Sequence, residues 1–370
     1  MIEPRSPIID VIAGARPNFM KIAPILRAIQ ERQRQGSRLR YRLVHTGQHY
    51  DARMSGDFFR QLGIPEPDVN LEVGSGTQAE QTAAIMVRYE KLVLANRGDL
   101  CLVVGDVTST MACAVVAQKL RVPVAHVEAG IRSGDWSMPE EINRLVTDSI
   151  TNYFFTTSAV ANGNLRAAGV DEDRIFFVGN TMIDTLLANL PRLVPPSFWA
   201  SAGLRAGQYF VMTLHRPANV DDAAGFARLI AAVGEAARGL PVVFPVHPRT
   251  AKTLATLARR PASILAVDPQ PYLEFNYLVR HSKGVITDSG GVTEETTVLG
   301  VPCVTLRDTT ERPETVSLGT NELVGADPAA LKPALDRIFA GQWKKGSIPE
   351  LWDGRTGERI AQVLDRLLQA

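Results

Sequence analysis

Apolar and polar positions alternate along this chain in a repeating couplet. Ile8 to Ala13 is a short, β-rich apolar run ended by Gly14-Ala15-Arg16-Pro17. Behind it, NFMKIAPILRAIQERQRQ places Phe19, Ile22, Ala23, Leu26 and Ile29 three or four residues apart, which puts them on one face of a helix. YRLVHT, LCLVVG, VPVAHV, NYFFTT and RIFFVG read as further strands, most with a helical pattern behind them. The rhythm breaks from Leu187 to Gly207, where Pro195-Pro196 cannot continue a helix. It then restarts. YFVMTLH predicts a strand, DDAAGFARLIAAVGEAARG a helix opened by Asp221 and closed by Gly239, and PVVFPVH, SILAVD, GVITDS and VPCVTL more strands. Apolar strands that alternate with amphipathic helices mark parallel sheets covered on both faces. The expectation is an α/β protein of two Rossmann-like, doubly wound domains with an inter-domain cleft. Residues 1–185 form the first domain and 186–355 the second, and the amphipathic end 356–370 returns to the first.

A length of 370 residues also favours two cores over one. With 45% apolar and 21% charged residues, disorder and fibrous repeats are set aside. The 40 Lys+Arg balance 39 Asp+Glu, so no global field selects nucleic acid or a membrane surface, and any polyanionic ligand must be held by local groups. No window approaches the roughly 20 apolar residues of a membrane span, and MIEPRSPIIDVIAG does not read as a signal peptide. Cys101, Cys113 and Cys303 sit in apolar runs and read as reduced core residues of a cytoplasmic protein.

In open α/β sheets, ligands bind at the carboxyl ends of strands. Arg16, His45, Asp106, Glu128, His215, His247 and Ser289 all fall there. In Asp288-Ser289-Gly290-Gly291-Val292-Thr293-Glu294-Glu295, a strand passes through a Ser-Gly-Gly turn into a helix. That geometry offers backbone N–H groups to a diphosphate, with Glu295 one turn on for the hydroxyls of a ribose. The bland alternative is an unliganded turn with a capping Ser. Gly74-Ser75-Gly76-Thr77-Gln78-Ala79 matches a dinucleotide pattern only weakly, since it follows the short LEV and not the first strand. His45 and His49 are four apart, but Gly47 between them argues against a helix and a metal pair. Asp106 and the first-turn acids Glu140 and Glu141 each suit helix N-termini. Taken together, Asp106, Glu128 and Glu140 on one rim suit proton transfer to and from carbon. The run Arg307-Asp308-Thr309-Thr310-Glu311-Arg312-Pro313-Glu314 reads as a solvated loop, or alternatively places Arg312 against a phosphate or sugar.

GARPNFMKIAP, HTGQHYD, VVGDVTST, HVEAGIRSGD, PEEINR, GNTMIDTL, TLHRPANV, FPVHPR, DPQPYLEF, TDSGGVTEE and LRDTTERPETVSLGTNELVG occur in that order. The set resembles the non-hydrolysing UDP-N-acetylglucosamine 2-epimerases over nearly the whole chain. The resemblance implies a glycosyltransferase-B-like fold and reversible conversion of UDP-GlcNAc to UDP-ManNAc, through elimination of UDP to a bound 2-acetamidoglucal and re-addition. It implies no metal, no NAD, no nucleic-acid or membrane partner, and a homodimer. It places UDP at Arg16, Lys21, Gln270, Phe275, Ser289, Gly290, Gly291, Glu295 and Arg312, and the sugar at Asp106, Glu128, Glu140 and His215. Glu295 and Arg312 are expected at the cleft surface. The segment Gly134-Asp135-Trp136-Ser137-Met138-Pro139-Glu140 is shorter than the family's common form and similar to members acting on uronic-acid sugars. A UDP-2,3-diacetamido-glucuronate 2-epimerase is therefore the first alternative, with Arg132 and Arg144 as candidate cations for the uronate. A hydrolysing 2-epimerase releasing ManNAc and UDP is another.

Overall fold

Each apolar run becomes a strand of one of two wholly parallel sheets. The computed structural model describes residues 5–47, 59, 61–257 and 260–369. It divides into two compact units, residues 1–188 with 350–370, and residues 189–349. The first carries β1 (Ile8–Ala13), β2 (Arg40–His45), β3 (Val69–Asn70), β4 (Leu100–Val104), β5 (Val124–Val127), β6 (Tyr153–Thr156) and β7 (Ile175–Phe177), in the spatial order β3-β2-β1-β4-β5-β6-β7. The second carries β8 (Phe210–Thr213), β9 (Val242–Pro245), β10 (Ile264–Val267), β11 (Gly284–Thr287), β12 (Cys303–Thr305) and β13 (Asn321–Leu323), in the order β10-β9-β8-β11-β12-β13. Both are Rossmann-like. Strand order reverses between β1 and β4 in one sheet and between β8 and β11 in the other, and ligands of open α/β sheets sit beyond such reversals.

Continuous apolar runs make the central strands. All five residues of β4 are buried, as are all four of β5 and β11. One polar residue inside β1, Asp10, is fully buried and answered by Arg42, whose Nε and Nη2 donate to it at 2.8 and 2.9 Å, and by the Tyr89 hydroxyl at 3.0 Å. Helix Ala223–Ala236 starts one residue later than its sequence pattern indicated. Asp222 is its cap, accepting from Ala224 and Gly225 N–H, whereas Asp221 turns its carboxylate to Arg249. The final helix, Thr356–Gln369, belongs to the first unit. Asp184 accepts the Gly357 N–H at 2.7 Å, and Arg32 Nε of helix Arg16–Arg34 donates to Asp365 at 2.8 Å. No described helix is long and apolar enough to cross a membrane. Cys101, Cys113 and Cys303 are buried free thiols, and burial pushes that of Cys303 up to about 11.

Candidate active site

The reversal between β1 and β4 is tied by Asn18. Its Oδ1 accepts the Gly14 and Ala15 N–H groups at 3.0 Å each, and its Nδ2 donates to the Val104 carbonyl at 2.9 Å. One side chain thus fixes the turn after β1 to the end of β4. One turn further along the same helix, Lys21 forms a buried ion pair with Glu128. Glu128 has φ 73°, the left-handed region that a non-glycine residue enters only at a cost on the order of 1 kcal/mol. The strained backbone follows β5 directly, with Glu128 and Ala129 N–H groups both donating to Phe155 O.

Asp106 follows β4 and the left-handed Gly105. It does not cap the next helix, whose N-cap is Val107 with no side-chain bond. Instead Arg144 grips it, Nε and Nη2 reaching Oδ2 at 3.1 and 2.7 Å, while Nη1 of the same guanidinium holds Glu141 at 2.5 Å. Glu141 also accepts the Ser133 and Gly134 N–H groups, and these donors outweigh its burial to keep its carboxyl below the usual range. Its neighbour Glu140 faces outward in the first turn of helix Pro139–Ser149. Glu141 therefore builds the site, and Glu140 is the half of the pair presented to solvent.

In the second unit, the β8/β11 reversal is organised by Asp288, which is fully buried. It accepts from the His215, Arg216 and Asn219 nitrogens at 3.0, 2.9 and 3.1 Å, and His215 Nδ1 lies 2.8 Å away. Those bonds hold its carboxyl below the ordinary range in spite of burial. They also orient the His215 ring, which is 44% exposed, with Nε2 as its remaining polar atom. Ser289 stands at the N-cap of helix Gly290–Leu299 without making a capping bond, so the hydroxyl and the first N–H groups of that helix are not used against each other. Gly290 lies close to Glu311, whose Oε1 would be 2.6 Å from a Cβ there, so a larger residue would displace that carboxylate.

Two residues are not at a surface as expected. Glu295 is 3% exposed and Arg312 5%. Burial pushes the Glu295 carboxyl up to about 7, against the smaller opposing pull of Tyr272 and Asn276. Arg312 Nε bonds Glu294 Oε1 at 2.5 Å, and Arg307 bonds Glu311 at 2.6 Å, both pairs buried. The run from Arg307 to Glu314 is thus no solvated loop, because its charges find acids within the fold. Removing one partner of such a pair leaves a buried uncompensated charge. Arg312→Ala should therefore cost about 3–5 kcal/mol, read as a lowered urea midpoint, so it is not the fold-neutral binding probe that exposure would have made it.

Other expected residues divide as follows. Gln270 donates to Asp268 O at 2.7 Å and lines a cavity of about 590 Å³ with Phe198, Val246, Arg260 and Val267. Phe275 packs partly buried on the cluster around Tyr209 and Val211. Arg16 opens its helix, and its side chain, like Gln48 and His49, lies outside the described residues. His45 Nδ1 accepts the Gly47 N–H at 2.8 Å and its ring stacks on Phe19, so it is held as a packing residue. Thr77 and Glu80 form a capping box, which accounts for the Gly-Ser-Gly-Thr segment. Among the described residues no cluster of His, Cys, Asp and Glu could hold a metal ion. Sequence reasoning missed Asn18, Asp288 and Glu294 as organisers, and read Arg144 as a substrate cation. The three-residue spacing of Glu141 and Arg144 was the one local signal available.

Comparison with known proteins bears on the family and the fold. The family model described as UDP-N-acetylglucosamine 2-epimerase matches residues 31–365. A UDP-N-acetylglucosamine 2-epimerase of Methanocaldococcus jannaschii is 39% identical over 369 residues, covering 96% of this chain and 98% of that protein. A UDP-2,3-diacetamido-2,3-dideoxy-D-glucuronate 2-epimerase of Pseudomonas aeruginosa is 42% identical over 360 residues, covering 96% and 99%. The crystal structure of the M. jannaschii UDP-GlcNAc 2-epimerase in complex with UDP-GlcNAc and UDP matches with a TM-score of 0.86 at 38% identity, over 97% of this chain and 99% of that one. A match of this extent, in sequence and in fold, places the chain in the UDP-N-acetylglucosamine 2-epimerase family, as an isomerase built on two Rossmann-like domains.

Proposed function

We propose that this enzyme interconverts UDP-GlcNAc and UDP-ManNAc by eliminating UDP to a bound 2-acetamidoglucal and adding it back. The observation that carries the reading is the set of groups that each unit places at its own strand reversal. The first sheet gathers Asp106, Glu128 and Lys21 at its reversal, with Glu140 on a helix tied to Asp106; the second presents His215 and the Ser289-Gly290-Gly291 turn. The C2 proton of the sugar is not next to a carbonyl, so enolisation is closed to it. A carboxylate must accept that proton while the C1–O bond breaks, and an acid must return it to the opposite face. In this reading Asp106, Glu128 and Glu140 carry the proton work of the first unit. Charge building on the leaving diphosphate falls to Arg16, His215, Arg312 and the helix N-terminus at Gly290. Gln270 and Phe275 face the base, and Glu295 holds the ribose.

The role given to Glu295 predicts a pH dependence. Its carboxyl titrates near 7 in the free protein because burial disfavours the charge. Two ribose hydroxyls donating to it stabilise the ionised form, so UDP binding expels a proton. Affinity should rise about tenfold per pH unit below 7 and level off above it. Calorimetry from pH 5.5 to 8.5 checks this, with Glu295→Gln subtracting the titration of UDP itself. The same slope in both proteins takes Glu295 out of the ribose site.

The second reading is a UDP-2,3-diacetamido-glucuronate 2-epimerase, favoured by the P. aeruginosa relative and the short segment before Glu140. Its uronate calls for a cation at the sugar. Arg144 is already engaged by Asp106 and Glu141, and Arg132 by Asp148 at 2.6 Å, which favours the neutral sugar. Chromatography of products from each UDP-sugar decides. UDP-ManNAc from UDP-GlcNAc supports the first reading, conversion of the uronate alone supports the second, and free ManNAc with UDP means that water traps the glycal.

A further inference from the structure

The imidazole of His126 is bonded at both nitrogens and enters none of the steps above. His126 lies in β5, fully buried, between Val103 of β4 and Phe154 of β6. Its Nε2 is 2.8 Å from the Gly105 carbonyl and its Nδ1 2.7 Å from Asp148 Oδ1. A carbonyl only accepts, so Nε2 carries a proton. Asp148 Oδ2 receives the Gly130 N–H at 3.1 Å and Arg132 Nη1 at 2.6 Å, donors that fix Asp148 as a carboxylate. Its other oxygen faces Nδ1, so both nitrogens of the His126 ring are tied to groups that further bonds hold in place. The charged groups around it are Asp148 with Arg132 behind it, and beyond the Gly105 peptide, Asp106 with Arg144 and Lys21 with Glu128.

What this ring joins is specific. Gly105 immediately precedes Asp106, and its peptide is held on both sides, its N–H donating to Val127 O at 3.0 Å and its carbonyl accepting from His126. Asp148 lies in helix Pro139–Ser149, which begins with Glu140 in its first turn. Glu128 is two residues beyond His126 itself. We propose that His126 is a positioning residue whose buried ring, bonded at both nitrogens, fixes the Asp106 turn, the Glu128 strand and the Glu140 helix relative to one another for proton transfer at C2. The inference rests on the acid–base reading of those three carboxylates. Misplacing an acid–base group by about 1 Å can cost on the order of 10²-fold in rate, so the clamp has a measurable consequence.

Two isosteres separate its halves. Gln at 126 sets an amide N–H near the place of Nε2, and Asn one near the place of Nδ1. His126→Asn, which loses the Gly105 bond, should lower kcat on UDP-GlcNAc about 10²-fold, with UDP affinity from calorimetry unchanged within about twofold. His126→Gln should recover at least about tenfold of that loss. Equal kcat in the two variants, or parallel falls in kcat, UDP affinity and Tm, overturns the proposal. A ¹⁵N-histidine spectrum of the wild-type protein gives a test independent of turnover and of variant folding. Both ring nitrogens of His126 should show hydrogen-bonded partners in that spectrum, and a ring nitrogen without one ends the clamp even if the epimerase reading stands. If no UDP-sugar is turned over but the ring is bonded at both nitrogens, it is the reading of the carboxylates that fails.

Discussion

Glu140→Gln, Asp106→Asn and Glu128→Gln should each reduce turnover by about 10²–10⁴-fold while UDP affinity changes no more than about threefold. The three are not equivalent tests. Glu140 is exposed, so its amide should leave stability untouched and its rate loss reads directly as chemistry. Asp106 and Glu128 are bound to Arg144 and Lys21, so their amides also weaken a partly buried and a buried ion pair and should lower Tm. Rates for those two must be taken well below the transition. Steady-state kinetics with calorimetric UDP titrations gives the split. Glu140→Gln at the wild-type rate would remove that residue from the proton-transfer set. Losses shared equally by turnover and UDP affinity would move all three from the reacting carbon to the nucleotide.

The parallel sheets were legible because their central strands are short, mostly apolar runs of strand length bounded by turn residues. The edge strands β3 and β13 were not, being two and three residues long with polar members, Val69-Asn70 and Asn321-Glu322-Leu323. The site was legible to the same degree as the strand ends. Asp106, Glu128, His215 and Ser289 stand where strands stop, and the rule of strand ends finds them without knowing their partners. What pattern does not carry is pairing across the chain. Arg144 is 38 residues from Asp106, and Arg312 is 18 from Glu294, and in each case the fold alone brings base to acid. That is why Arg144 reads as a spare cation in the sequence and is a bound one in the structure. The run Arg307 to Glu314 likewise reads as solvated because its burial is decided by residues outside it. Asp221 and Asp222 differ by one position, and local composition cannot choose which of two adjacent acids caps a helix.

Incubated with UDP-GlcNAc in deuterated water, the enzyme should place deuterium at C2 of the epimerised product. The label would reflect the lifetime of the proposed glycal. A carboxylate that has taken the C2 proton would exchange it with solvent while 2-acetamidoglucal and UDP remain bound, and the proton returned to the other face would come from that pool. A route through oxidation at C4 would leave C2 unlabelled. Proton NMR of the product reads the label as loss of the C2 signal and collapse of its coupling to C1. The amide variants extend the test, because elimination can outrun a weakened re-addition, and some should release free 2-acetamidoglucal with UDP. The substrate enters through the same experiment. If UDP-GlcNAc is inert and a diacetamido-glucuronate nucleotide is labelled at C2, the reaction stands and the neutral-sugar reading falls. If neither is labelled, the proton-transfer role of Asp106, Glu128 and Glu140 falls with it, and the partly buried pair Arg144–Asp106 and the buried pair Lys21–Glu128 would remain as structural ties alone.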